Sequence, residues 1–62
     1  MDQSKLTIMK PYRFYLKGGH VIEGILAWKD SVVLDVSVTE KNKSRQVTID
    51  WDSIIAVMQM PN

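Results

Sequence analysis

The sequence contains no cysteine and a single histidine. Disulfides are therefore excluded, and so is a small fold clipped together by zinc. Neither sign of charge is in excess: eight Lys and Arg stand against seven Asp and Glu, for a net charge of +1. The strongly basic field that advertises nucleic acid is missing. No apolar run approaches the about 20 residues that a transmembrane helix needs, so no membrane partner is expected. Met1-Asp2-Gln3-Ser4-Lys5 has neither the basic start nor the apolar stretch of a signal peptide. With the absence of cysteine this fits a cytoplasmic protein.

What is present is one domain, residues 1–62, with no internal repeat, linker or low-complexity tract. A domain of this size buries only about 60% of the surface its unfolded chain exposes. The 45% apolar content supports one core with a thin margin. Small domains widen such margins with disulfides, metals or partners. Partners are what remain, so an oligomer is expected. The length leaves little room for an elaborate active site, and His20 has no nucleophile or partner acid in view. The chain is not read as an enzyme, and no cofactor or metal site is expected.

Residues 1–11 form an N-terminal segment that fits two patterns. Asp2 or Ser4 caps a short helix with Leu6 and Met9 at i, i+3, or Lys5-Leu6-Thr7-Ile8 alternates as a strand does. Pro11 disfavours helix at Lys10. From Tyr12 to Met60 the period is two. Tyr12, Phe14 and Leu16 share one face, with Arg13, Tyr15 and Lys17 opposite. Gly18-Gly19 marks a turn. Ile22, Gly24, Leu26 and Trp28 then share a face opposite Val21, Glu23, Ile25 and Ala27. Lys29-Asp30-Ser31 turns the chain into the β-branched stretch Val32–Val38. The polar run Thr39 to Ser44 reads as a hairpin loop. Arg45–Asp50 alternates again, Trp51-Asp52-Ser53 is a short turn, and Ile54–Met60 is the last strand. Five short strands on short turns predict an all-β domain. The economical form is a strongly bent, five-stranded sheet closing into a small barrel over 12–60, whose closure removes the sheet edges. Gly24 suits the sharp bend.

The segment Tyr15 to Asp30 resembles the first motif of the Sm/LSm/Hfq family. That motif runs hydrophobic strand, Gly, four residues, Gly, five residues, Asp, apolar strand, as Gly19, Gly24 and Asp30 do here, with Ile22 and Leu26 flanking the second Gly. Val47 to Val57 has the length and apolar ends of the second motif. The resemblance spans about residues 12–58. It implies the SH3-like (Sm-like) form of the bent five-stranded barrel and a homo-oligomeric ring made by edge pairing of the last two strands. It also implies single-stranded RNA as a partner and a post-transcriptional regulatory role.

The chain departs from the family where the ring pore binds uridine. Val33-Leu34-Asp35 has no Asn, Asp50-Trp51 stands where relatives carry Arg-Gly or Lys-His, and Ser31-Val32 replaces a Gln-Phe-like pair. Lys29 stands where the family places an aromatic, and Trp28 lies one position earlier. An Asp at position 50 repels phosphate. The adenine-binding face of Hfq is better kept: Tyr15-Leu16, Gly19, Ile22 and Glu23 lie in register, with Glu23 for Gln and His20 for an apolar residue.

Each candidate has a functional and a plain reading. Tyr15 is a base-stacking platform or a cross-strand aromatic. His20 is a ligand contact or a solvated turn residue. Lys41, Lys43 and Arg45 contact phosphate or form a solvated hairpin tip. Asp50 and Asp52 read as a polar turn rather than a metal site. Trp28 and Trp51 read as packing groups. Trp51, beside the presumed edge strand, joins Ile55, Val57 and Met58 in the expected subunit interface. Met58 and Met60, on the face of Ile54 and Ala56, suit a partner or the core. Two functions stay open: an RNA-binding Sm-like ring, and an Sm-like or SH3-like protein–protein interaction module that does not bind RNA.

Overall fold

A computed structural model describes residues 5–61. Five antiparallel strands form one sheet: β1 Pro11–Leu16, β2 Val21–Lys29, β3 Val33–Glu40, β4 Lys43–Asp50 and β5 Ile54–Gln59. Their order is β4-β3-β2-β1-β5. The first four strands follow one another as a meander, and β5 returns to pair with β1. The expected all-β, strongly bent, barrel-like fold is what the chain adopts.

The alternating residues supply the inner face. Tyr12 and Phe14 from β1, Leu26 from β2, Leu34, Val36 and Val38 from β3, Ile49 from β4 and Ile54 from β5 form the core with Leu6 and Trp51. Phe14, Leu26, Leu34 and Val36 lose all contact with water. Each contributes about 1.5–3 kcal/mol by leaving water. Leu16, Ile22, Val47 and Val57 pack around this cluster. Gly24 sits where β2 crosses closest to β3. A Cβ there would lie 2.3 Å from the Ser37 carbonyl oxygen and 2.7 Å from a Val36 methyl. Only glycine lets the sheet fold over this tightly.

The turns have identifiable causes. Gly18 and Gly19 both adopt positive φ, 86° and 85°, and the Leu16 N–H donates to the His20 carbonyl at 2.8 Å. Asp30 builds the next turn, with its Oδ1 accepting the N–H of Val32 at 2.7 Å and of Val33 at 2.8 Å. The Val33 and then the Val32 amide hold its carboxyl below the usual carboxylate range. Trp51–Ser53 is a short 3-10 helix. It swings Trp51 into the core, where Nε1 donates to the Asp30 carbonyl at 2.6 Å.

Four local expectations change. First, Thr39 to Ser44 is not a loop: β3 and β4 stay paired out to Glu40 and Lys43. Only Lys41 and Asn42 turn, with φ of 50° and 67°, the two positive values of a type I′ hairpin. Lys43 and Arg45 are therefore strand residues. Second, the register shifts between Leu26, opposite Val36, and Trp28, opposite Asp35. This bulge at Ala27 rotates Trp28 off the Leu26 face and outward. Third, a shift between Tyr15 and Leu16 leaves Ile55 as the extra residue of β5. Ala56 and Met58 consequently face out with Tyr15 and Arg13, while Ile54 and Val57 face in. Fourth, Leu6–Lys10 is neither helix nor strand, although Met9 N–H donates to the Leu26 carbonyl and Leu26 N–H to the Lys10 carbonyl. The capping residues Asp2 and Ser4 of the expected short helix lie outside the described residues.

Closure is also incomplete. Among the described residues β4 and β5 pair with β3 and β1 alone, so the sheet keeps two open edges.

Candidate functional site

The outer face of β5-β1-β2 gathers several of the sequence candidates. Tyr15 lies half-buried on β1 between Ala56 of β5 and Val21 of β2. One row along, Arg13 is flanked by Met58 and Glu23. The Arg13 guanidinium binds the Glu23 carboxylate through Nε and Nη2, each 2.9 Å from Oε2, and its Nη1 stands 3.4 Å from the Tyr15 hydroxyl. Tyr15 first, then Glu23, raises the Arg13 pKa, so the group stays cationic. Val21 and Ile25, 50% and 43% exposed, extend the face with apolar surface. It thus offers an aromatic ring and a paired, water-exposed cation on an apolar floor.

Gly19 and His20 lie at the adjacent β1–β2 turn, both exposed. Ile22 points the other way and packs on the core. It still lines a cleft of about 250 Å³ that opens where β2 and β3 part company. Their pairing ends at Ile25 and Ser37. Beyond it, Val21, Ile22 and Glu23 face Val38, Thr39 and Glu40, with Arg45 at the rim. The cleft therefore brings Ile22, Glu23 and Arg45 together. Arg45 is 3.5 Å from Glu40. Lys41 and Lys43 lie on the exposed hairpin tip, away from Tyr15 in the sheet order.

The expected interface residues divide in two. Ile55 and Met58, 65% and 51% exposed, stand on the open β5 edge. Trp51 is buried in the core and Val57 packs against it. Arg13, Val21, Thr39 and Glu40 are members of the site that residue-type reasoning passed over. Arg13 was legible as an outward neighbour of Tyr15, whereas Thr39 and Glu40 became visible only once β3 proved longer. Among the described residues no three His, Cys, Asp or Glu side chains gather as a metal site requires. No helix there is long and apolar enough to cross a membrane.

Fold and surface together define a small all-β module with two open sheet edges and an aromatic outer face. No family model, no curated protein and no solved structure matches the chain.

Proposed function

We propose that this chain is an Sm/Hfq-like subunit that assembles edge to edge into a ring and binds single-stranded RNA on the Tyr15 face. The observation that carries the reading is the placement of Tyr15. Its ring lies outward on β1, beside the Arg13 guanidinium, on the strand that leads into the Gly18-Gly19 turn. That is the register in which the family resemblance assigns base contacts. Base stacking on such a ring contributes about 1–3 kcal/mol per base. The open β4 and β5 edges support assembly, because an unpaired strand edge otherwise invites uncontrolled pairing.

The test is the affinity of labelled adenine-rich RNA for the chain and for Tyr15→Ala, measured across salt concentrations. Loss of one stacked base weakens binding by about 5–150-fold, with assembly intact. Phosphate contacts show as a linear fall of log K with log salt. RNA affinity unchanged by the substitution would remove Tyr15 from the site.

A second reading rests on the Arg13–Glu23 pair. It places a carboxylate on the same face and neutralises the cation nearest Tyr15. On that reading the module binds protein and ignores RNA at every salt concentration.

A further inference from the structure

The far end of β2, where it pairs with β3, carries a second outward aromatic. The bulge at Ala27 turns Trp28 away from the core row and sets it opposite Asp35 on the outer face. Nearly half of Trp28 remains exposed, 49%, and Val32 just beyond the strand end is 65% exposed. A tryptophan turned outward by a bulge forgoes burial that regular alternation would have provided. Large aromatics left on a surface with a free face are the usual anchors of protein interfaces.

The charged side chains in the outer rows beside this ring, Asp35 and Asp50, are acidic. Asp35 is steadied by the Thr48 hydroxyl, which donates to Oδ1 at 2.7 Å. Asp50 lies one row further along, opposite Val33. Among the described residues the two ion pairs use Glu23 and Glu40, and neither Asp35 nor Asp50 belongs to one. Lys29, the next residue along β2, stands opposite core residue Leu34 and sends its ammonium to the Leu6 carbonyl.

We infer that the Trp28–Asp35 face is a docking surface for an arginine-containing segment of a partner protein. A guanidinium can stack on the indole while its fork reaches the adjacent carboxylate. An ammonium satisfies one of these contacts at a time, and a phosphate backbone is repelled. A second copy of the chain is a poor source of the guanidinium. Its two arginines, Arg13 and Arg45, are already paired with Glu23 and Glu40.

The experiment titrates the full chain with a short Arg-Gly repeat peptide, its Lys-Gly counterpart and a Glu-Gly control, following the two indole N–H resonances by NMR. The Arg-Gly peptide is expected to move the exposed Trp28 signal and leave that of buried Trp51 in place, with weaker binding by Lys-Gly. Trp28→Ala and Asp35→Asn should each lower affinity on the order of tenfold. Both keep the thermal melt of the parent, and RNA binding at Tyr15 is unaffected by either. Absence of any shift, affinity unchanged from the parent in both variants, or shifts confined to the Tyr15 face would overturn the proposal. So would a drop in oligomer mass in Trp28→Ala, which would show a second copy on this surface.

Discussion

The two halves of the sheet bury the same kind of residue and display opposite chemistry. Inside, β1 and β2 contribute Tyr12, Phe14 and Leu26, and β3 and β4 contribute Leu34, Val36, Val38 and Ile49. Outside, the β5-β1-β2 half presents Tyr15, Val21, Ile25, Ala56 and Met58 around a single ion pair. The β3-β4 half presents Asp35, Ser37, Thr48 and Asp50. The edges follow suit: Ile55 and Met58 are exposed on β5, whereas β4 exposes Lys43, Ser44, Arg45 and Gln46. The inner face therefore specifies the barrel and is shared by both halves. The outer face is free to differ, and it is there that partners are distinguished.

The hinge between the halves is the place to break this contrast most severely. Gly24→Val drives a side chain into the Ser37 backbone and the Val36 methyl. Backbone cannot yield as a flexible side chain can, so a loss of about 3 kcal/mol or more is expected. Chemical denaturation measures it. For a domain of this size that approaches the whole stability.

Substitutions on the apolar edge sharpen the contrast without unfolding the chain. Ile55→Lys places a charge on the extra residue of the β5 bulge, exposed in the single chain. Assembly should fall to monomer by light scattering, with the β-sheet circular dichroism of the folded chain retained. Ile25→Lys, also exposed but two strands from that edge, should leave the assembly intact.

The smallest expected effect concerns pH. The carboxyl of Asp30 is depressed by the Val33 and Val32 amides, so its folded-state pKa lies below its unfolded value. Its contribution is present in full above the unfolded pKa and is lost as pH falls through the folded one. Asp30→Asn should therefore flatten the acid limb of a stability–pH curve below about pH 4 and leave the neutral region almost level. An acid limb equally steep in the variant would show that other carboxylates set it.

Much of this contrast was legible in the residues. Alternation set Tyr12 and Phe14 on one face of the first strand and Ile22 and Leu26 on one face of the second, and Gly18-Gly19 marked the first turn. The glycine at position 24 marked the bend. Two kinds of feature escaped. A bulge adds one residue and reverses every side chain after it until the strand ends. Alternation alone thus grouped Trp28 with Leu26, and Met58 with Ile54. The polar Thr39 to Ser44 stretch, read as a hairpin loop, hid how far its two strands stay paired, because strands with one face in water need no apolar residues near their tips. Lys41-Asn42 also lacks the glycine that usually announces a type I′ turn. The cleft between β2 and β3 was hidden for the same reason, since it exists only where pairing stops.

Native mass spectrometry of the chain, alone and with short adenine-rich and uridine-rich RNAs, puts the central claim to the test most directly. The expected result is a closed oligomer that gains one adenine-rich strand. A ring that takes up neither RNA would contradict the RNA reading and favour the protein-binding module. A monomer would contradict edge-to-edge assembly itself.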